Sequence, residues 1–403
     1  MVPFVFQPAD ILLPADVDMT RWSVIACDQF TSDQQFWKNA ETIVGDAPST
    51  LRLMLPEYYL GKCNEAEATA RIQSTMCSYL EQNLFQTFYH SFIYLERTLP
   101  GGTIRRGLIG QVDLEAYDYS AGSVSPIRAT EGTVEARLPA RVAVRKKALL
   151  EMPHIMLFVD DTNHSLIRSA GKLASETVYD FDLMLGGGHV TGRRISGADA
   201  DGLAASIARE TAGQTLQFAV GDGNHSLAAA RKLWLEKRES LPAEQRSTDP
   251  ARFALVELVN IHDPSITFEP IHRVLFGTDA ARFADAAREA LYEPSSGRSI
   301  TLVVEGKQET LPCCGDSIGQ LIERVESFCR NYMDAYGGEM DYIHGDRETV
   351  QLASAQNACG ILLPKMEKAE LFSSVSLTGP FPKKSFSIGL GLDKRFYLEC
   401  RHL

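Results

Sequence analysis

The chain has 403 residues, of which 44% are hydrophobic and 23% are charged, as in an ordinary globular protein. Acidic residues outnumber basic residues by 52 to 40, which gives a net charge of -12. This balance argues against a nucleic-acid partner, because nucleic-acid binding normally requires a basic face, but it allows a small basic pocket.

The pattern of cysteines and the length of the apolar stretches indicate in which cellular compartment the protein is expected. Eight cysteines are scattered without a Cys-x-x-Cys pair, so neither a structural zinc site nor a disulfide framework is predicted. The stretch MVPFVFQPADILLPAD lacks the basic start and continuous apolar core of a signal peptide. The longest apolar runs, such as IMLFV, are too short to span a bilayer. We therefore expect a cytoplasmic protein without a membrane partner.

The spacing of apolar residues predicts alternating helices and strands. A helix is predicted over Ala66–Phe85, and stretches rich in branched and aromatic residues predict strands. The predicted strands are SFIYLERT, RGLIGQVDL, HIMLFVDD, LQFAVGD and ARFALVELVNI. A further helix begins near Ser226, and two long helices are predicted over Ala280–Tyr292 and Ser317–Tyr336.

This alternation predicts a mixed α/β fold, in which helices flank a mixed sheet. The pattern changes after Arg273 from short strands to long helices. We therefore predict an α/β core over residues 1–275, which carries the functional site, and an α+β region over residues 276–403 packed on it.

An unusual density of polar residues follows the predicted strand LQFAVGD. The turn contains Asp222, Gly223, Asn224, His225 and Ser226, whereas a connecting turn needs only a glycine and a capping residue. A helix N-terminus favours a phosphate, and glycine allows a ligand to approach closely. Asp222 has the chemistry to hold Mg²⁺ or accept a proton, and His225 to donate to a phosphoryl oxygen. The structural alternative is that Asn224 or Ser226 caps the helix while His225 packs.

Two further stretches carry candidate functional residues. FEPIHRVLF contains His272, which is suited to acid–base chemistry, and Arg273, which is suited to binding phosphate or carboxylate. In RATEGTVEARLPARVAVRKK, Arg128 and Glu131 belong to an arginine-rich segment that suits an anionic ligand. The structural alternatives are a Glu269–Arg273 pair that ties a loop to the core, and a solvated charged face.

Two other stretches are open to a structural explanation. The three glycines of LMLGGGHV form either a phosphate-approaching loop or a hairpin turn, and neither a Walker A nor a Gly-x-Gly-x-x-Gly pattern is present. Cys27 is followed directly by Asp28, whereas a reactive cysteine needs an electropositive surrounding. We therefore interpret Cys27 as a packing residue.

Eight stretches, taken in order, carry a family resemblance: ACDQFTSD, PSTLRLMLPEYYL, RATEGTVEARLPARV, MPHIMLFVDD, YDFDLMLGGGHV, VGDGNHSLAAA, FEPIHRVLF and FPKKSFSIG. Together they resemble the bacterial family of domain of unknown function 1015 over essentially the whole chain. The turn of many members, Asp-Gly-His-His-Arg, is similar to the phosphate-binding turn of the ParB and sulfiredoxin superfamily. That superfamily includes free-serine kinases.

The resemblance implies a ParB/sulfiredoxin-like core with large insertions. In this chain Asp222, Gly223 and His225 match the turn, Asn224 replaces its first histidine, and Ser226 replaces its arginine. Because that arginine is the side chain best suited to clamp a phosphate, another cation must substitute, and Arg273 and Arg128 are the candidates.

These observations predict a Mg²⁺-dependent enzyme that transfers or hydrolyses a phosphoryl group on a small hydroxylated or phosphorylated metabolite. A serine-like substrate is what the family resemblance implies, and the phosphate donor stays open. The predicted catalytic residues are Asp222, His225, His272 and Glu131; the predicted phosphate-binding residues are Gly223, Asn224, Ser226, Arg273 and Arg128; Asp222 is the predicted metal ligand. The alternative is a regulatory protein that binds a nucleotide or phosphate without turnover.

Overall fold

A computed structural model describes residues 4–120, 122–313, 315, 317–389 and 391–403. In these residues the chain forms the predicted mixed α/β fold, with two large sheets and helices packed on them. Among the described helices, none is long and apolar enough to cross a membrane.

The strands follow in chain order: β1 (Phe6–Gln7), β2 (Ala9–Pro14), β3 (Val24–Ile25), β4 (Phe85–Thr98), β5 (Ile104–Asp113), β6 (Tyr117–Asp118), β7 (Ile127–Ala129), β8 (Leu150–Glu151), β9 (Met156–Val159), β10 (Glu176–Asp182), β11 (His189–Ser196), β12 (Phe218–Asp222), β13 (Phe253–Asn260), β14 (Phe268–Phe276), β15 (Ser299–Val304), β16 (Lys307–Pro312), β17 (Glu339–His344), β18 (Ala358–Leu362), β19 (Phe386–Ile388), β20 (Phe396–Tyr397) and β21 (Arg401–His402).

The α-helices are α1 (Met19–Trp22), α2 (Gln34–Val44), α3 (Glu65–Glu81), α4 (Leu138–Arg145), α5 (Ser165–Leu173), α6 (Gly197–Thr211), α7 (Asn224–Ser240), α8 (Ala280–Leu291), α9 (Ile318–Tyr336), α10 (Asp346–Ala353) and α11 (Glu370–Thr378). The four helices predicted from the sequence are α3, α7, α8 and α9, each starting within two residues of the predicted position.

In the described residues the first sheet contains eleven strands, and β12 lies between β9 and β7, two strands from the edge formed by β6. β7 runs parallel to β12, whereas β9 runs antiparallel to β12. The carboxyl ends of β7 and β12 therefore lie together at the sheet edge where β9 begins. This is the position at which α/β sheets usually bind ligands.

The second sheet is antiparallel and contains the six strands β14 to β19. Its core is continuous with one face of the first sheet, since Phe158 and Ala219 share a buried cluster with Phe268 and Phe381. The final strands return to the first half of the chain, because β20 pairs with β3 and β21 pairs with β8. The last strands therefore pack against the first sheet, where Phe396 and Tyr397 share a buried cluster with Ile93 and Leu255.

The glycine-rich stretch has a structural explanation. β10 and β11 form an antiparallel hairpin in which Asp182 pairs with His189, and the glycines lie in its turn. The His189 ring contacts the carboxylates of Asp182 and Asp180 at 2.8 and 2.6 Å. The structure therefore confirms the prediction that these glycines form a hairpin turn.

Candidate active site at the start of helix α7

The turn between β12 and α7 is held close to β9 by two glycines. Gly223 has φ of 79°, and a Cβ atom there would lie 2.9 Å from the Cα of Ile155. A Cβ atom at Gly221 would lie 2.4 Å from the ring of Phe158. Both contacts are closer than real Cβ atoms tolerate, so only glycine lets this turn pack against β9.

Gly223→Ala is expected to destabilise the protein by about 2–4 kcal/mol, because a positive φ and a backbone collision act together. Gly213→Ala is the matched control, since Gly213 has φ of 84° but open space around its Cβ position. Denaturant unfolding of both variants separates the two effects, and an equal loss in both would show that the contact with Ile155 contributes nothing.

Asp222 ends β12, with one carboxylate oxygen hydrogen-bonded to the backbone and the other facing a lysine. Its Oδ1 accepts a hydrogen bond from the Gly223 amide at 2.9 Å, and its Oδ2 lies 3.4 Å from Lys394 Nζ. Oδ2 is buried and makes no hydrogen bond of normal geometry with any described residue, and the same is true of Asn224 Oδ1. Two polar atoms at the start of α7 therefore retain capacity to bind a ligand.

The loop after β7 closes one side of the turn. Thr130 Oγ1 donates to the Val220 carbonyl at 2.7 Å. His225 Nε2 accepts the backbone N–H of Val134 at 3.1 Å, so the neutral ring carries its proton on Nδ1. Glu131 accepts the backbone N–H of Lys384. We refer to Glu131, Asp222–Ser226, Lys384 and Lys394 as the turn site.

Arg273 holds the backbone of the segment that contains Lys384. Its side chain is fully buried, its Nε donates to Glu326 Oε2 at 3.0 Å, and its Nη1 donates to the Lys384 carbonyl at 3.0 Å. The guanidinium also lies over the ring of Tyr342, 4.7 Å from its centroid. Arg273 therefore orders the backbone that presents Lys384, and direct phosphate binding by Arg273 stays a prediction.

The structure does not bring His272 to the turn. Adjacent residues of a strand point to opposite faces, so His272 lies on the face of β14 opposite to Arg273. Its Nε2 contacts Asp346 at 2.9 Å and its Nδ1 accepts the Leu363 amide at 3.1 Å. Burial lowers the pKa of His272 despite the neighbouring Asp346 carboxylate. Both ring nitrogens are occupied by structural partners.

Arg128 lies on β7, three residues before Glu131. Its side chain is buried, and Nη1 donates to the Ser123 carbonyl at 3.3 Å. Nε and Nη2 have no hydrogen-bond partner among the described residues, and burial lowers the pKa of the guanidinium. Among the described residues, no contact joins the Arg128 side chain to the turn site, so its phosphate-binding role stays a prediction.

A buried polar network lies beside the turn and was not predicted from the sequence. His154 Nε2 lies 3.3 Å from Asp28 Oδ2, and its Nδ1 lies 2.9 Å from the Tyr397 hydroxyl. That hydroxyl donates to Cys27 Sγ at 3.1 Å. Burial alone would lower the pKa of His154, but the carboxylates of Asp28 and Asp222 outweigh it and raise the pKa.

The thiol of Cys27 is expected to be unreactive. Burial, followed by the charge of Asp28, raises the pKa of Cys27 to about 12, so almost no thiolate forms near neutral pH. Treatment of the native protein with iodoacetamide at pH 8 should label exposed Cys63 first and leave Cys27 unmodified, as measured by peptide mass spectrometry. Rapid labelling of Cys27 would contradict its interpretation as a packing residue.

The described residues contain no group of three or more His, Cys, Asp or Glu side chains that could hold a metal ion. Asp222 faces Lys394 rather than a second carboxylate. The protein residues around Asp222 therefore do not fit a metal site of their own, and a Mg²⁺ ion there would require oxygen ligands from a bound phosphate.

A family model described as Protein of unknown function (DUF1015) matches residues 8–371. The chain belongs to this family. No curated protein matches it. Truncated SbnI from Staphylococcus aureus is similar in structure, with a TM-score of 0.39 and 10% identity over 72% of this chain and 85% of that chain.

Two other solved structures show a comparable likeness. A free serine kinase in complex with AMP has a TM-score of 0.39 and 10% identity, and the match covers 72% of this chain and 90% of that chain. A conserved hypothetical protein from Pyrococcus furiosus has a TM-score of 0.35 and 10% identity over 73% of this chain and 94% of that chain.

Proposed function

We propose that the protein transfers a phosphoryl group between a nucleotide and a hydroxyl group of a small metabolite, at the turn site. One observation carries the proposal. Three segments distant in sequence meet beside the N-terminus of α7. Lys394 Nζ lies 3.4 Å from Asp222 Oδ2, Thr130 next to Glu131 donates to the Val220 carbonyl, and Glu131 accepts the backbone N–H of Lys384. Phosphoryl transfer depends mainly on positioning and on neutralising charge, and this set of groups provides both.

The phosphate is bound at the start of α7. The first N–H groups of a helix have no intrahelical acceptor, and their dipoles favour a negative charge. Gly223, as N-cap residue, leaves this end uncovered by a side chain. Lys394 supplies the positive charge that the substitution of Ser226 for the arginine of related turns removes. His225, in the first turn of α7, is held in place by the Val134 amide.

Proton transfer is assigned to Asp222. The hydroxyl oxygen of the acceptor forms a bond to phosphorus while the bond from phosphorus to the leaving oxygen of the nucleotide breaks, and the hydroxyl proton passes to the carboxylate. Oδ2 of Asp222 makes no hydrogen bond of normal geometry with the described residues, whereas Glu131 already accepts the Lys384 amide. Glu131 therefore positions Lys384, in place of the catalytic role predicted from sequence.

A Mg²⁺ ion would be held here by the nucleotide phosphates and would neutralise part of their charge. The bound nucleotides of the free serine kinase structures motivate ADP and ATP as the first donors to test.

The purified protein should convert ATP or ADP with a hydroxylated acceptor into a phosphate ester, observed by phosphorus NMR with and without Mg²⁺. Lys394→Met should reduce the rate at least tenfold, because it removes a charge that the transferring phosphate requires. Lys232→Met, which changes an exposed lysine of α7, is the matched control and should keep the wild-type rate. Saturable nucleotide binding without product would instead support the regulatory alternative.

A further inference from the structure

A cavity of about 150 Å³ adjoins the turn site on the side of α4 and β8. Its walls are mainly apolar and include Leu53, Met54, Met76, Val144 and Met152. Three of these five are methionines, and methionine side chains adapt easily to ligands of different shape. An engineered cavity of this size accommodates benzene, so the space suits a group of about six to eight non-hydrogen atoms.

One end of the cavity is polar and buried. His154 and Tyr397, which are only 2% and 5% exposed, line it together with Cys27. His154 Nε2 makes no hydrogen bond of normal geometry with the described residues, although Asp28 lies within ion-pair distance. A buried ring nitrogen in this state is available to a hydroxyl group that enters the cavity, because a hydroxyl group can both donate and accept a hydrogen bond.

The polar end of the cavity and the turn site share one helix. Ser226 and Ala229 of α7 line the cavity, while Asp222 and Gly223 immediately precede the same helix. A molecule whose apolar part fills the cavity would therefore hold its polar group beside the proposed phosphate position.

The charges around the cavity favour a neutral polar group. Its charged side chains form pairs with carboxylates: Arg141 with Glu57, Arg145 with Glu151, and His154 with Asp28. Since each of these cations already has a carboxylate partner, none of the three is left to pair with an anionic head group. A hydroxyl group, which both donates and accepts a hydrogen bond, suits this lining better than a carboxylate or an ammonium group.

We infer that this cavity is the acceptor site, and that it binds small alcohols with an apolar body rather than polar hydroxylated metabolites such as serine. The inference rests on the proposed function for the fate of the hydroxyl group, but alcohol binding can be measured without turnover. The hydroxyl group lies near His154 and Ser226, and the apolar body lies among Met54, Met76 and Met152.

The ten methionines allow a direct binding test. Protein labelled with ¹³C at the methionine methyl groups is titrated with 1-hexanol, hexanoate and serine, and the methyl spectrum is recorded. We expect saturable shifts of the Met54, Met76 and Met152 signals with 1-hexanol, at an affinity at least tenfold higher than for hexanoate or serine. Unchanged signals for these three methionines, or equal affinity for the three probes, would overturn the inference.

Substitutions that fill the cavity provide a second test of the inference. Ala229→Leu extends a buried side chain into the space and should abolish the hexanol-induced shifts, whereas Ala205→Leu on the exposed face of α6 should not. Val144→Phe, at a partly exposed position of α4, serves if Ala229→Leu fails to fold. Persistent hexanol binding in a folded cavity-filling variant would contradict the assignment.

The two proposals can fail separately. Hexanol binding without any phosphate ester would retain the cavity as an alcohol site and overturn the proposed phosphoryl transfer. Phosphorylation of serine, with no hexanol binding, would retain the proposed function and overturn the acceptor site.

Discussion

Asp222→Asn is expected to lower phosphoryl-transfer activity at least about a hundredfold while the protein remains folded. The substitution is nearly isosteric and keeps an oxygen for the Gly223 amide, but it removes the charge and the ability to accept a proton, for which the loss is about 10²–10⁴-fold. Lys394 loses its partner at a partly exposed position, so the free energy of unfolding should fall by no more than about 2 kcal/mol. Activity per folded molecule and denaturant unfolding are measured on one sample.

Asp46→Asn is the matched control, because Asp46 is exposed and lies in the turn after α2. It should leave both quantities unchanged. If Asp222→Asn lowers stability but keeps full activity per folded molecule, the turn is structural and the active site has been misplaced. Glu131→Gln distinguishes the roles of the two carboxylates: as a positioning residue it should weaken phosphate binding more than it slows the transfer step.

The sequence predicts the turn well because its information is local. Apolar residues end at Val220, glycines follow, and helical spacing resumes, so strand, turn and helix are all encoded within about twenty residues. The structure confirms β12 and α7 close to the predicted bounds. The mixed α/β class follows from the same kind of pattern repeated along the chain.

The partners of the turn depend on tertiary contacts that no local pattern reveals. Lys394 meets Asp222 from 172 residues further along the chain, and the stretch LDKRFYLEC carries no motif that marks it. The same holds for Asp28 and His154, which meet across 126 residues. The separation of His272 from Arg273 could have been predicted from the sequence, because adjacent residues of a strand point to opposite faces of the sheet.

A buried ionic network holds the segment that presents Lys394. Arg97 donates to the carbonyls of Lys394 and Gly187 at 2.6 and 2.9 Å, and Arg105 donates to the carbonyl of Asp393 at 2.7 Å. Arg395, the next residue, donates to Glu257 at 2.7 Å. The position of the proposed phosphate-binding lysine is therefore fixed by side chains of β4, β5 and β13 in the centre of the first sheet.

Glu257→Gln is expected to destabilise the protein by about 3–5 kcal/mol, because it leaves buried Arg105 without its carboxylate partner and Arg395 with Glu399 alone. Glu257 is fully buried, 2.7 Å from Arg395 and 3.4 Å from Arg105. Denaturant unfolding at neutral pH measures the loss, and Glu239→Gln, at an exposed position of α7, is the control. A change below about 1 kcal/mol would mean that the network contributes little to folding.

The Glu257 carboxylate also makes the free energy of unfolding depend on pH in the acid range. Burial alone would raise the pKa of Glu257, but the charges of Arg105 and Arg395 outweigh it and hold the pKa below its ordinary value of 4.5. A carboxyl group with a lower pKa in the folded state stabilises the fold above its unfolded pKa, and this contribution is lost as the pH falls through the folded pKa. Wild-type stability should therefore decline as the pH falls below about 4.5, and the decline should be smaller in Glu257→Gln, since glutamine does not titrate. Parallel curves for the two proteins over this range would show that Glu257 does not set the acid response, and that other buried carboxylates do.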